Sequence, residues 1–172
     1  MRVSILGNSG SGKSTIAQWL SERTGAPLLD LDTVAWQPNQ IAVPRSATAA
    51  TSDVRAFCSQ NEHWVIEGCY AGLISAALER GPLLLFINPG EAQCLANCRS
   101  RPWEQHKYSS KAEQDERLAY LLAWVTDYYS RQGDMSLSGH RQCFNTYTGP
   151  KVEVNTQPTL EPPAPEILAW LR

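Results

Sequence analysis

The sequence predicts a three-layer α/β fold in which helices cover both faces of a five-stranded parallel sheet. Two observations lead to this prediction. Short apolar runs alternate with helix-length segments along the whole chain, as is typical of parallel strands joined by crossover helices. The 172 residues suffice for one domain, 1–172, with its own core, and no shift in composition marks a second domain.

The predicted strands are short apolar runs bounded by turn residues. In the first run, Val3, Ile5 and Leu6 precede a glycine-rich segment, as expected of a buried strand. The predicted strands are Arg2–Leu6, Pro27–Asp30, Trp64–Glu67, Leu83–Ile87 and Lys151–Val154.

The predicted helices carry apolar residues at helical spacing. In the first helix, Ile16, Trp19 and Leu20 share one face, and Gly25 ends the helix. The longest predicted helix carries an apolar stripe, which indicates that this side of the helix faces the core. The residues of the stripe are Leu118, Leu121, Leu122, Val125 and Tyr129. The predicted helices are Ser14–Thr24, Ala47–Gln60, Leu73–Glu79, Glu91–Arg99, Ala112–Tyr129, Gly139–Thr146 and Pro165–Leu171.

Charge and cysteine content argue against several classes of protein. Seventeen acidic and 15 basic residues give a formal charge of -2, so no positive field favours direct binding of nucleic acid. No apolar stretch is long enough to span a bilayer, and no hydrophobic leader precedes the first strand. We therefore expect a cytoplasmic protein without a membrane partner. The five cysteines lack the spacing of a disulfide framework, so we expect free thiols.

The glycine-rich segment after the first strand is the most specific motif in the chain. It reads GNSGSGKST and matches the phosphate-binding pattern G-x-x-x-x-G-K-[ST]. Its glycines let the backbone curl so that N–H groups point inward at a polyanion. Lys13 is expected to contact the β- and γ-phosphates, and Ser14 is expected to offer its hydroxyl to Mg²⁺. The predicted nucleotide-binding residues are Gly7, Asn8, Ser9, Gly10, Ser11, Gly12, Lys13, Ser14 and Thr15. The alternative is a glycine-rich turn between two elements.

Three acidic residues stand at predicted carboxyl ends of strands, where parallel sheets gather functional side chains. Asp30 and Asp32 end the second strand, and Glu67 ends the third. A carboxylate here can hold Mg²⁺ through water, or it can accept the proton of a hydroxyl that attacks the γ-phosphate. The alternative is that Asp30 is a cap or turn residue and Glu67 an ordinary strand end.

Absent motifs narrow the class of nucleotide-binding protein. No N-K-x-D motif occurs, so a guanine-specific switch protein is not indicated. The fourth strand ends in Asn88, where a remodelling ATPase would carry an acidic metal ligand, so that class also fits poorly. A small-molecule phosphotransferase remains. Its chemistry needs cations over the transferring phosphoryl group, and Arg99, Arg101 and Lys107 are available in a candidate lid, 99–112. The alternative is a solvated helix end whose basic residues complement the helix dipole.

The order of the segments GNSGSGKST, LDLDTVAW, WVIEGCY and CRSR resembles the P-loop nucleoside and nucleotide kinases, such as adenylate kinase and shikimate kinase. It is most similar to the small adenylate-kinase-related proteins often labelled DNA topology modulation proteins. The matching residues are Asp32, Trp36, Trp64, Val65, Ile66, Glu67, Gly68 and Tyr70. The resemblance implies a P-loop fold, ATP and Mg²⁺ at Lys13 and Ser14, and an acceptor site between the second and third strands. It also implies that Arg99 and Arg101 match the lid arginines.

The segment 33–62 is expected to hold the acceptor together with Asp30 and Asp32. Its Arg45 and Arg55 are candidate anion contacts, and Trp36 with Tyr70 could stack on a flat ring or simply pack. The resulting hypothesis is an ATP-dependent phosphotransferase that acts on a nucleotide or a small hydroxylated metabolite, with Asp32 as the base. The alternatives are a nucleotide-binding regulator and a slow ATPase without an acceptor. Nothing in the sequence predicts the oligomeric state.

Overall fold

A computed structural model describes residues 1–37, 43–103 and 109–160, so the predicted helix Pro165–Leu171 lies outside the described residues. The strands are β1 Arg2–Gly7, β2 Leu28–Asp30, β3 Trp64–Gly68, β4 Leu83–Ile87 and β5 Lys151–Val154. They form one parallel sheet with the order β2-β3-β1-β4-β5. The predicted five-stranded parallel sheet is therefore confirmed, and no strand end differs from its prediction by more than one residue.

One or more of the described helices follow each of the first four strands. They are α1 Lys13–Thr24, α2 Asp32–Ala35, α3 Ala47–Gln60, α4 Ala71–Leu78, α5 Glu91–Arg99, α6 Lys111–Glu116, α7 Leu118–Asp127 and α8 Leu137–Thr146. None of the helices in the described ranges is both long and apolar enough to cross a bilayer.

Apart from shifts of one or two residues at helix ends, the helices differ from the sequence prediction in two places. The predicted helix Ala112–Tyr129 is wrong as a single element, because it is divided at Arg117 into α6 and α7. The division falls where the polar residues of α6 give way to the apolar residues of α7. The short helix α2 was not predicted, because its four residues are too few to show helical periodicity.

The core explains the three layers. On one face of the sheet, α1 buries Ile16 and Leu20 against Val3, Ile5 and Val65. On the other face, residues of α3, α4 and α8 cover the sheet; this cluster includes Ala50, Val54, Trp64, Ile66, Ile74, Leu84 and Cys143. Since successive side chains of a strand point to opposite faces, the central strands are apolar on both.

The strand register brings the predicted acids together. Glu67 of β3 lies opposite Asp30 of β2 on one side and opposite Ile5 of β1 on the other. Because the strands are parallel, their carboxyl ends meet at the edge where β1 enters the glycine-rich loop. The sheet therefore places two carboxylates beside that loop. All five cysteines are free, as the sequence predicts.

Candidate active site

The glycine-rich loop combines left-handed backbone angles with close packing against a helix. Gly10 and Gly12 adopt positive φ angles of 77° and 90°, which other residues rarely tolerate. A Cβ atom on Gly10 would lie 2.3 Å from the carbonyl oxygen of Cys94 and 2.7 Å from Sγ of Cys98. The loop therefore lies directly against α5, and α1 begins at Lys13 immediately after it.

Two asparagines attach the loop to the helices behind it. The buried Asn8 donates from Nδ2 to the carbonyl oxygen of Val125, 3.0 Å away in α7, and accepts from the backbone N–H of Ser9. Asn97 of α5 donates to the carbonyl oxygen of Gly10 at 2.8 Å. These hydrogen bonds hold the loop in one conformation from two sides.

Lys13, Ser14 and Glu67 form a compact charged group at the start of α1. Ser14 Oγ donates to Glu67 Oε1 at 2.7 Å, and Lys13 Nζ lies 3.9 Å from Glu67 Oε2. Burial acts to lower the pKa of Lys13, but its acidic neighbours, Glu67 first and then Cys69 and Asp32, together outweigh burial and raise the pKa. Burial also raises the pKa of Glu67, and the charge of Lys13 only partly opposes this rise. Lys13 is therefore a cation at neutral pH, held beside a carboxyl that lies almost out of water.

Glu67 also provides the observation that tests a magnesium site. Its Oε2 atom is buried and has no hydrogen-bond partner among the described residues, although Lys13 lies nearby. A buried oxygen without a hydrogen bond is costly unless a ligand satisfies it. Mg²⁺ prefers carboxylate, hydroxyl and water oxygens. The residues present, Glu67 with Ser14, therefore fit this ion.

A chain of hydrogen bonds fixes the orientation of Asp32. Tyr70 donates its hydroxyl proton to Asp32 Oδ1 at 2.6 Å, and Trp36 Nε1 donates to the Tyr70 hydroxyl at 2.7 Å. An indole N–H can only donate, so the Tyr70 hydroxyl must accept from Trp36 and point its own proton at Asp32. The backbone N–H of Asp32 also donates to Asp30 Oδ1. Asp32 is thus held by its side chain and by its backbone.

Trp36 and Tyr70 pack against each other. Their ring centroids are 6.4 Å apart with an interplanar angle of 70°, which is an edge-to-face contact. The sequence left open whether these rings stack on a ligand or pack in the protein. The observed contact is packing of one ring on the other, in which Trp36 Nε1 donates to the Tyr70 hydroxyl and that hydroxyl donates to Asp32.

His140 positions the backbone between Glu67 and Tyr70. Its ring is fully buried, and burial lowers its pKa to about 4, so the ring is neutral at physiological pH. Nε2 lies 2.8 Å from the Cys69 carbonyl oxygen and Nδ1 lies 2.9 Å from the Tyr128 hydroxyl. Because a carbonyl only accepts, Nε2 carries the proton and Nδ1 accepts from Tyr128. The sequence did not predict this role, since His140 is 71 residues from its partner.

Arg99 is the last residue of α5, and Arg101 lies two residues beyond it. Arg101 donates to Sγ of Cys98 at 3.8 Å, and its charge reaches Lys13, whose pKa it acts to lower. Both arginines line a cavity at the junction of α5, α6 and α7. Its lining residues are Cys98, Arg99, Arg101, Lys111, Gln114, Asp115, Arg117, Leu118 and Leu121. The other predicted lid cation, Lys107, lies outside the described residues.

The two arginines of the predicted acceptor segment both form ion pairs within the protein. Arg45 forms an ion pair with Asp53 at 2.6 Å and donates to the backbone of Val34. Arg55 forms a two-hydrogen-bond ion pair with Glu79, at the end of α4. Of the predicted site residues, the structure brings together Asp30, Asp32, Trp36, Glu67 and Tyr70 beside Lys13 and Ser14. Arg55 is not among them.

Comparison with known proteins supports the fold. No protein-family model matches the chain, and no curated protein matches it. The solved structures that it resembles include a sugar kinase from Janibacter sp., with 16% identity, a TM-score of 0.55 and coverage of 99% of this chain and 93% of that chain. A gluconokinase from Sinorhizobium meliloti has 16% identity and a TM-score of 0.53, with 99% and 90% covered. Shikimate kinase from Aquifex aeolicus has 17% identity and a TM-score of 0.54, with 99% and 96% covered. The chain therefore has the three-layer fold of these kinases.

Proposed function

We propose that the protein is a kinase that transfers the γ-phosphate of ATP·Mg²⁺ to a hydroxyl group of a small molecule. One observation carries the proposal: a phosphate-binding loop with a cationic Lys13 lies beside Asp32, a carboxylate that two hydrogen-bonded aromatic residues hold in one orientation. A purely structural glycine-rich turn does not require such an oriented acid. The fold shared with kinases of small metabolites supports the same proposal.

The donor side would use the loop and the residues that follow it. Backbone N–H groups of Gly7–Thr15 would bind the phosphates, together with the positive end of α1. Lys13 would exchange its contact with Glu67 for one with the β- and γ-phosphates. Ser14 and Glu67 would hold Mg²⁺, which supplies positive charge that neutralises the phosphate oxygens. Arg99 and Arg101 would stabilise the charge that spreads over the transferring group.

The acceptor side would use Asp32 as a general base. Its carboxylate accepts the proton of the acceptor hydroxyl as that oxygen forms a bond to the γ-phosphorus. The bond between the γ-phosphorus and the bridging oxygen of ADP breaks, and its electron pair stays on ADP. The hydrogen bond from Tyr70 to Oδ1 would keep the carboxylate in place during this transfer.

The proposal extends to the narrower group of kinases, to the roles of two segments and to the cellular location. The residues that match the small adenylate-kinase-related proteins support a place within that group, and the charge of -2 supports small-molecule partners over nucleic acid. The segments 33–62 and 99–112 would be the acceptor-binding insertion and the lid. A cytoplasmic location would suit the free cysteines.

Transfer of label from γ-labelled ATP·Mg²⁺ tests the proposal. The acceptors would be nucleosides, nucleoside monophosphates, sugars and sugar acids, and every product would be resolved. We expect at least one labelled acceptor. Free phosphate that no acceptor stimulates would instead support a slow ATPase or a nucleotide-binding regulator.

Replacement of Tyr70 by Phe is expected to lower kcat about 10-fold, because a hydrogen bond to a charged group typically contributes about 1.5 to 3 kcal/mol. The KM for ATP should not change. Measurement of kcat and KM tests this role, and Trp36→Phe, which acts through Tyr70, should show a smaller loss of kcat. A kcat equal to that of the unmodified protein would contradict it.

Replacement of Glu67 by Gln is expected to raise the Mg²⁺ concentration needed for half-maximal turnover by about 10-fold or more, because a neutral amide binds the ion weakly. Turnover would be titrated with Mg²⁺ at saturating ATP. Glu22→Gln provides the control, since Glu22 lies on α1 and contacts Gln18 on the surface. An unchanged Mg²⁺ requirement in Glu67→Gln would remove Glu67 from the proposed metal site.

A further inference from the structure

Helix α4 begins with a residue that is poorly suited to its position. Tyr70 is the N-cap of α4, and its side chain makes no capping hydrogen bond within the described residues. Short polar side chains are preferred there, because they accept a hydrogen bond from the first N–H groups of the helix. The Tyr70 hydroxyl, at the end of a rigid ring, instead donates to Asp32 Oδ1. The first residue of this helix end therefore contacts the proposed base and leaves its own helix uncapped.

Asp134 supplies the missing cap from a distant part of the chain. Its Oδ1 atom accepts a hydrogen bond from the backbone N–H of Gly72 at 2.5 Å, and its backbone carbonyl oxygen accepts one from the N–H of Ala71 at 3.4 Å. A Cβ atom on Gly72 would lie 3.2 Å from the same Oδ1 atom, so the missing side chain lets the carboxylate approach. Asp134 therefore does for α4 what an N-cap side chain would do.

His140 holds the peptide group on the other side of Tyr70. Its Nε2 atom donates to the carbonyl oxygen of Cys69, and its Nδ1 atom accepts from the Tyr128 hydroxyl. The ring is fully buried and makes edge-to-face contacts with Phe86 and Tyr128. Both ring nitrogens are thus used, and the ring is packed on its sides. The backbone is therefore held both before and after Tyr70.

Asp134 and His140 belong to one tightly turned segment that joins α7 to α8. Ser136 caps α8 by accepting a hydrogen bond from the N–H of Gly139, and it donates to the carbonyl oxygen of Gly133. Gly133 has a φ angle of 99°, and a Cβ atom on Gly139 would lie 2.2 Å from the Gly133 carbonyl oxygen. Both glycines are therefore needed for this turn. Because these contacts involve no substrate, the segment presents Asp134 and His140 in fixed positions.

The end of α7 also holds the donor side of the site. Val125 accepts the hydrogen bond from Asn8 of the glycine-rich loop. Tyr128, the C-cap residue of the same helix, donates to His140. One helix end therefore sets the glycine-rich loop and the backbone at Tyr70 relative to each other.

We infer that Asp134 and His140 are positioning residues for phosphoryl transfer. They fix the backbone on both sides of Tyr70, whose hydroxyl then stays on the carboxylate of Asp32. This inference rests on the proposed kinase function, in which Asp32 is the base. Neither residue needs to touch a substrate for this role. A displacement of reacting groups by about 1 Å can lower a rate by about 10²-fold, so the hold on Tyr70 affects the rate of transfer.

Removal of the cap tests the inference. Asp134→Ala deletes the acceptor of the Gly72 N–H, and the residue is exposed, so we expect a folded protein. The kcat for transfer from γ-labelled ATP·Mg²⁺ to the best acceptor should fall by about 3- to 10-fold, with the KM for ATP unchanged. Asp134→Asn keeps an oxygen acceptor and should restore most of this kcat. Gln132→Ala is the matched control, because Gln132 is exposed in the same segment and accepts a hydrogen bond from Ser138.

A double-mutant cycle separates positioning from a general loss of stability. If Asp134 acts through the Tyr70 hydroxyl, Asp134→Ala should lower kcat by less than about 2-fold in the Tyr70→Phe background. His140→Phe, which keeps a ring and removes both hydrogen bonds, should behave in the same way, and the Asp134 cycle decides alone if that variant does not fold.

Two results would overturn the inference and leave the kinase function intact. One is a kcat of Asp134→Ala equal to that of the unmodified protein, and the other is an equal loss of kcat with and without the Tyr70 hydroxyl. Absence of Lys13-dependent transfer to any acceptor in the unmodified protein would overturn the kinase function and, with it, this inference.

Discussion

Replacement of Lys13 by Ala is expected to leave a folded protein whose turnover is at least about 10³-fold lower and whose affinity for ATP is clearly weaker. The reason is electrostatic. The ammonium group lies in a site with little water, where a cation over the phosphates contributes far more than it would in bulk solvent. A transition-state contribution of about 4 kcal/mol corresponds to this loss of rate.

The fold should tolerate this change because Glu67 can take up a proton. Burial already raises its pKa, and removal of Lys13 removes the charge that opposes the rise. Circular dichroism and thermal unfolding would confirm that the variant is folded, and nucleotide binding would be measured beside turnover. Arg23→Ala is the control, because it removes a positive charge from the last turn of the same helix, about 15 Å away along the axis. Unchanged turnover in Lys13→Ala would refute the phosphate-loop assignment.

Replacement of Asp32 by Asn is expected to lower phosphoryl transfer by about 10² to 10⁴-fold, which is the usual contribution of a general base. The amide oxygen of Asn can still accept the hydrogen bond from Tyr70, so the local structure should persist. Binding of ATP should be unaffected, since Asp32 is not expected to contact the donor. The measurement is single-turnover transfer to the best acceptor, with nucleotide binding determined in parallel.

The comparison with Asp127→Asn makes this result specific. Asp127 lies on α7 with its side chain about half exposed, and its loss should leave transfer unchanged. If Asp32→Asn transferred phosphate at the normal rate, the acid would be a structural residue of the α2 turn and not the base. If ATP binding fell together with transfer, Asp32 would be assigned to the donor site instead.

Much of the fold could be predicted because its signals are local. The apolar runs of β1, β3 and β4 and the glycine-rich loop are continuous in sequence, and each strand was found within one residue of its end. The division of the helix at Arg117 and the short helix α2 could not be predicted. Both depend on which residues are covered by the rest of the chain, and periodicity over a few residues does not report that.

The candidate active site could likewise be predicted only where its signals are local in the sequence. Asp30, Asp32 and Glu67 could be proposed because acids at the carboxyl ends of parallel strands meet beside the loop. The bond from Tyr70 to Asp32 joins residues 38 apart, and the contact of His140 with Cys69 depends on the packing of α8. The sequence offered Arg45 and Arg55 as anion contacts, because it does not show which helix faces bring Asp53 and Glu79 to them.

The attachment of the glycine-rich loop to α5 and α7 has a thermodynamic consequence. The hydrogen bonds from Asn8 to Val125 and from Asn97 to Gly10 do not involve a nucleotide. Ordering the glycine-rich loop costs backbone entropy. This cost is therefore part of the free energy of folding and not of the free energy of ATP binding. Nucleotide binding then requires little ordering of the loop itself, and the affinity of the site depends directly on how firmly two neighbouring helices hold their asparagine contacts.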